Sequence, residues 1–275
     1  MWTRRFPVGR DDHRLRASAT SREGNLSELF ALNGKNAVVT GGAQGIGEAI
    51  VLALRDAGAR VFICDINPEV GNATAERHGV EFVAADVTDS ASVETAFEHV
   101  ATTAGSLDVA VNNAGIVHNH PSEGLADEDW RRVMSVNLDG VFYCCRAAGR
   151  RMLQQGSGSI VNTGSMSGHI SNHPQPQSAY NTAKAGVIHL TKSLAGEWAD
   201  RGVRVNSVSP GYVGTEMTKR GMSNEEWRRV WVGDTPMKRV AEPREIAPAV
   251  VFLASDAGSY CTGTDLVVDG GYTVW

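Results

Sequence analysis

Residues 37–47 read Ala-Val-Val-Thr-Gly-Gly-Ala-Gln-Gly-Ile-Gly, a short β-branched run that ends in clustered glycines and opens a helical pattern from Glu48 to Asp56. Glycines at Gly41, Gly45 and Gly47 allow the backbone to turn tightly and to come close to a pyrophosphate, whose charge then rests on amides at the helix N-terminus. A glycine-rich turn is a weak signal alone. Here it lies between a strand and a helix, and Asp65 closes the next β-rich run at roughly the 20-residue offset of a carboxylate that binds adenosine ribose hydroxyls. Asp65 would repel a 2′-phosphate, and Gly42, Ala43 and Ile66 offer no positive charge to receive one. The expected cofactor is therefore NAD rather than NADP.

Outward from this unit, short β-branched runs alternate with helix-length segments, the pattern of βαβ units and a parallel sheet. Seven strands are expected: Ala37–Thr40, Arg60–Cys64, Glu81–Ala85, Val109–Asn112, Ser159–Asn162, Arg204–Ser207 and Asp265–Val268. Ligands in such sheets sit outside the carboxyl ends of the strands. Asp86 and Val87 after the third strand, and Asn113, Ala114 and Gly115 after the fourth, should then border the cofactor, with Asn112 also bracing neighbouring strands.

Further along stands Ser178-Ala179-Tyr180-Asn181-Thr182-Ala183-Lys184. On a helix, Tyr180 and Lys184 fall on one face a turn apart. A free phenol titrates at about 10, so it can act as a base near neutrality only where positive charge favours the phenolate. Lys184 and a bound oxidised nicotinamide are the expected sources of that charge.

Composition narrows the setting. The chain has 275 residues, 42% apolar and 21% charged, with 30 glycines and a net charge of −5. That balance gives no clustered basic surface for nucleic acid, and no apolar run reaches the length of a membrane span. Cys64, Cys144, Cys145 and Cys261 show neither zinc nor disulfide spacing, which fits a cytoplasmic setting. Residues 1–27 mix arginines with Asp11, Asp12 and small polar residues and are expected to be a disordered extension. Residues 28–275 then form one domain.

Together, the TGxxxGxG pattern at Thr40–Gly47, the NNAG of Asn112–Gly115, Ser165 after a strand, Tyr180xxxLys184 and Pro210-Gly211 resemble the short-chain dehydrogenase/reductase family. The resemblance covers about residues 30 to 275. It implies a single-domain α/β Rossmann fold with a seven-stranded parallel sheet flanked by helices on both faces. It also implies a catalytic set of Asn137, Ser165, Tyr180 and Lys184. Asn137 would anchor a proton-relay water, Ser165 would orient the substrate oxygen, and Lys184 would hold the nicotinamide ribose and lower the Tyr180 pKa. Gln44 and Ile46 join the glycines at the cofactor, with Pro210, Gly211, Val213 and Thr215 at its nicotinamide end. A homotetramer assembled through long helices at about Trp130–Leu153 and Ala179–Trp198 follows from the same resemblance. The spacing of Ser165 from Tyr180 is longer than is common in the family, which makes Ser167 the rival for the serine role.

The longer loop, Gly164–Gly168 and the closing Asp269–Trp275 look most like the polyol dehydrogenase branch, which acts on galactitol, threitol or sorbitol. Ser167, His169, Asn172, His173 and Gln175 would set donors and acceptors beside the reactive centre, as a substrate with many hydroxyls needs. Ser167 and Asn172, with Ser165 and Tyr180, are the expected substrate contacts. His118, His120, His169 and His173 have no cysteine or carboxylate partner at zinc spacing, so no metal is expected. Glu216–Val232 is expected to be a mobile helical lid over the substrate. The competing readings are a 3-oxoacyl-thioester reductase, which shares the motifs, and a non-catalytic NAD-binding module.

Overall fold

The computed structural model describes residues 25–275. The predicted extension lies outside the described residues as far as residue 24, and Asn25 leads into a single exposed turn, α1 (Leu26–Leu29). All seven expected strands form: β1 (Asn36–Thr40), β2 (Arg60–Asp65), β3 (Glu81–Ala84), β4 (Val109–Asn112), β5 (Gly158–Thr163), β6 (Val203–Pro210) and β7 (Asp265–Val268). They make one sheet in the order β3-β2-β1-β4-β5-β6-β7, every neighbouring pair parallel. The order reverses between β1 and β4. Connections there leave to opposite sides, and a crevice opens at the carboxyl ends of these two strands.

Period-2 alternation divides the strand residues between two cores. Val38 is in register with Phe62 and Ala110, Ala110 with Ile160, and Ile160 with Val205. This row packs under α4 (Ser90–Ala104), α6 (Gly140–Gln155) and α7 (Ser178–Trp198). The alternate row, with Val39, Ile63, Val111 and Val161, packs under α2 (Gly45–Asp56), α3 (Pro68–His78) and α10 (Ala247–Ala254). A sheet covered on both faces reads as nearly continuous apolar runs, which is what the strand segments show. Phe97 and Ile160 are 1% and 0% exposed. Truncating either to alanine would cost about 2–5 kcal/mol.

One helical expectation needs correction. The segment expected as one long helix from Trp130 is α5 (Asp127–Met134), a π turn over Ser135–Asp139, and then α6. The wide turn carries Asn137, which is fully buried; such turns commonly mark functional positions. The lid segment is two helices, α8 (Glu216–Met222) and α9 (Glu225–Asp234). Asn224 starts the second by accepting the Trp227 N–H at 3.1 Å, so a local cap outcompetes continuation of α8. Among the described residues, no helix is long and apolar enough to cross a membrane.

Candidate active site

The glycine turn at the end of β1 has room for backbone only. Gly41 and Gly45 adopt φ of 61° and 62°, a region costly for other residues. A Cβ on Gly41 would lie 2.8 Å from Ala114 Cα, and one on Gly47 would lie 2.0 Å from the Gly41 carbonyl oxygen. Gln44, at the N-cap of α2, is exposed and makes no side-chain cap, so the first-turn amides of α2 lack side-chain partners. A glycine-walled, uncapped helix start of this kind fits a pyrophosphate. Ile46 leans on the core beneath it.

Asp65 spends one carboxylate oxygen on the Ala43 N–H at 3.3 Å and the other on the Asn67 N–H at 3.1 Å. It so ties the glycine turn to β2 while both oxygens keep lone pairs for further donors. Ile66 beside it is exposed. Arg77 and His78, on α3, are both drawn to Glu48, at 2.9 and 2.7 Å. Asp86 closes its own turn by accepting from the Thr88 N–H and hydroxyl. Val87 lines a cleft with Thr40, Ala114 and Val136. Asn113 Nδ2 donates to the carbonyls of Thr40 and Gly41 at 3.2 and 3.0 Å, locking the turns after β1 and β4 together. Asn112 is the interstrand brace, its Nδ2 donating to Asn162 Oδ1 at 2.8 Å.

Pro210 ends β6, and the Gly211 N–H continues the ladder to the Val268 carbonyl at 3.0 Å. Val213 is buried, and Thr215 caps α8 with its hydroxyl. The Thr215 methyl stands 3.3 Å from where a Cβ on Gly45 would be, so the loop after β6 reaches back over the glycine turn.

Tyr180 and Lys184 lie one turn apart on α7, with Nζ 5.6 Å from the centre of the phenol ring. Nζ donates to the Thr163 carbonyl, at the end of β5, over 2.7 Å. Ser165 follows that strand, stands beside the Tyr180 phenol and accepts the Ser167 N–H at 3.1 Å. Of the two rival serines, Ser165 therefore faces Tyr180, while the Ser167 hydroxyl accepts from Gln177 at 3.2 Å. Asn137 is held by its own side chain, donating to the carbonyls of Ile116 and Val133 at 2.9 Å each and accepting the Ile116 N–H at 3.2 Å. Gly115 leaves the space for it, since a Cβ there would come 2.8 Å from Asn137 Oδ1.

Burial governs the titration of this pair. It pushes the Lys184 ammonium down to about 8. It also raises the Tyr180 phenol above its ordinary value, with the Ser165 hydrogen bond acting in the opposite direction. Among the described residues, Lys184 Nζ keeps its one hydrogen bond with the Thr163 carbonyl.

The polar loop after β5 is arranged differently from the expectation of free donors. His169 Nε2 meets Asp265 Oδ2 on β7 at 2.6 Å, and His173 Nε2 meets Asp234 Oδ2 at the end of α9 at 3.2 Å, so the two histidines diverge. Asn172 and Gln175 are 8% and 2% exposed and bond to Gln177 and to the Tyr212 hydroxyl. Gln177 and Tyr212 escaped the sequence reading. The signal for Tyr212 was its place directly after Pro210-Gly211; Gln177 carried none. Among the described residues, no group of three or more His, Cys, Asp or Glu could hold a metal ion.

A doubly wound sheet, a glycine turn over its switch point and a tyrosine–lysine helix define an oxidoreductase that works on a CH–OH group with a nicotinamide cofactor. The family model described as enoyl-(acyl carrier protein) reductase matches residues 41–273. Galactitol 2-dehydrogenase of Rhizobium johnstonii is 47% identical over 91% of this chain and 100% of that protein. D-threitol dehydrogenase of Mycolicibacterium smegmatis is 42% identical over 89% of this chain and 95% of that protein. The solved structure of a gluconate 5-dehydrogenase from Burkholderia cenocepacia in complex with NADP and tartrate superposes with a TM-score of 0.87 at 32% identity, covering 91% of this chain and 100% of that one. The chain belongs to the short-chain dehydrogenase/reductase family.

Proposed function

We propose that this enzyme oxidises a secondary alcohol of a sugar alcohol, such as galactitol or threitol, to the ketose, reversibly and with NAD. The observation that carries the reading is the Tyr180 phenol with Ser165 beside it and Lys184 one turn away at the carboxyl edge of the sheet, in a chain whose relatives include alditol dehydrogenases.

NAD, when bound, supplies the acceptor for the carbinol hydride. Tyr180 Oη takes the hydroxyl proton, and in ketose reduction it returns one. Ser165 donates to the substrate oxygen and so holds the reacting carbon against the base. Lys184 binds the nicotinamide ribose and Asn137 anchors a relay water. Gly41, Gln44, Gly45, Ile46 and Gly47 receive the pyrophosphate. Asp65 binds the adenosine ribose and disfavours a 2′-phosphate, while Asp86 and Val87 border the adenosine half. Asn113, Ala114 and Gly115 line the middle, and Pro210, Gly211, Val213 and Thr215 the nicotinamide end. Ser167 and Asn172 complete the substrate wall. The same reading includes a homotetramer assembled along α6 and α7 and a cytoplasmic location.

The test is NADH formation from NAD with four- to six-carbon alditols, run beside reduction of an acetoacetyl thioester. Turnover of an alditol that disappears in Tyr180→Phe supports the reading. Thioester reduction without alditol turnover replaces it with the 3-oxoacyl reductase, and neither activity, with NAD still bound, with the non-catalytic module.

A further inference from the structure

Arg77 and His78 stand in the last turn of α3 and Glu48 in the first turn of α2, each charge at the helix end whose dipole suits it. The folded chain brings them together. Arg77 Nη2 donates to Glu48 Oε1 at 2.9 Å, and His78 Nε2 comes within 2.7 Å of the same oxygen. Among the described residues, Glu48 is the one carboxylate that pairs with Arg77. Helix dipoles explain why these charges sit at these ends, but not why one acid holds two basic side chains at this place.

The place adjoins the seat expected for the adenosine ribose. Arg77 Nη2 also donates to Thr74 Oγ1 at 2.9 Å, which uses its second hydrogen, and Thr74 Oγ1 donates to the Ala43 carbonyl at 2.9 Å. Thr74 is 1% exposed, so burial fixes this link. The Ala43 N–H is held by Asp65 Oδ2 at 3.3 Å. A single residue of the glycine turn thus has Asp65 on its N–H and, through Thr74, Arg77 on its carbonyl. From the other side, the Glu48 N–H donates to the Gln44 carbonyl at 3.3 Å, so Glu48 lies one turn behind the exposed Gln44 on the same face of α2. A 2′-phosphate on a ribose held by Asp65 would enter this neighbourhood, where Arg77 is the cation at hand.

We propose that Glu48 is a specificity-determining residue: by pairing with Arg77 it keeps positive charge from the 2′ position of the cofactor and so adds to the preference that Asp65 gives for NAD. The proposal rests on the NAD reading of the site. Asp65 acts by repelling a phosphate, and Glu48 acts by cancelling an attraction that would offset that repulsion. The Arg77 side chain is 58% exposed. Exposed ion pairs contribute little to stability, so removing this one changes the local charge more than the fold.

Glu48→Gln removes the charge and keeps the shape, and Arg77→Gln removes its partner. Each is placed in the Asp65→Ser protein and read twice: as the ratio of NADP to NAD in kcat/KM for galactitol oxidation, and as the ratio of the dissociation constants of NADPH and NADH by fluorescence titration. The pyrophosphate and nicotinamide are common to both cofactors, so the ratio isolates the 2′-phosphate. Glu48→Gln should shift both ratios toward the phosphorylated cofactor by roughly 3- to 10-fold, and Arg77→Gln should shift them away from it by about 2- to 5-fold. The two together should restore the starting ratios, and raising salt from about 0.05 to 0.5 M should shrink each shift. Unchanged ratios in Glu48→Gln, or shifts of the same sign in the two variants, overturn the proposal, and a merely structural clasp gives one or the other. A wild-type protein without preference for NAD overturns instead the reading of Asp65, while the signs of the Glu48 and Arg77 effects are still measured, so the two failures are distinct.

Discussion

Lys184 Nζ donates to the Thr163 carbonyl over 2.7 Å while standing 5.6 Å from the centre of the Tyr180 ring. One buried cation thus ties the helix that carries the phenol to the strand that leads to Ser165. Burial lowers its pKa from 10.5 to about 8, a cost of about 3 kcal/mol for keeping the charged form at neutral pH. Lys184→Met should lose about a hundredfold or more in kcat/KM yet unfold at pH 7 no earlier than the wild type. Between about pH 8 and 10.5 the unfolded chain still binds this proton and the native state does not. Wild-type stability therefore rises through that window relative to the variant. Thermal melts of both proteins at pH 7 and pH 10 check this, and a difference that stays flat with pH would sink the argument.

Asp65 binds two backbone amides and has an exposed isoleucine, not a cation, beside it. Wild-type kcat/KM should favour NAD over NADP by about a hundredfold, and Asp65→Ser should narrow that ratio by roughly tenfold by removing the repulsion. A wild-type protein that uses NADP as well as NAD contradicts the assignment.

Gly47 has no space for a side chain, with the Gly41 carbonyl 2.0 Å and Asn113 Nδ2 2.6 Å from the position of a Cβ. Gly47→Ala should destabilise the protein by about 1–3 kcal/mol. It should also weaken dinucleotide binding at least tenfold, roughly, by shifting the turn. Calorimetric titration with NADH measures the second effect separately from the first.

Asp265 is a buried carboxylate that accepts from the hydroxyls of Ser207 and Ser209 at 2.6 and 2.8 Å and meets His169 at 2.6 Å. The serines bond to the carboxylate rather than to the imidazole, so this array is a clasp between β6, β7 and the Ser165 segment and not a nucleophile with its base. Asp265→Asn removes the charge and replaces one acceptor oxygen with an NH2 group, which weakens the clasp. A loss of about 1–3 kcal/mol follows, visible as a fall of roughly 2–4 °C per kcal/mol in the thermal midpoint.

Much of this architecture was legible in the chain. The strands and the glycine turn are local: period-2 apolar runs, glycines where only backbone fits, and Asp65 at the end of the following strand all lie within one βαβ unit. Tyr180 and Lys184 share a face because four residues make about one helical turn. What needed the tertiary structure was the choice of partners. His169 and His173 read as polar groups beside the reactive centre, but one finds Asp265, 96 residues away, and the other finds Asp234. Gln175 reads as a polar group beside the reactive centre and is held by Trp231, while Gln177, which drew no reading, donates to Ser167. Lys184 reads as the partner of Tyr180, and the fold also gives its Nζ the Thr163 carbonyl, 21 residues back along the chain. Periodicity and backbone sterics act between near neighbours and are written in order along the chain; hydrogen-bond partners and desolvation depend on which distant segments the closed sheet brings together, and those only the folded protein decides.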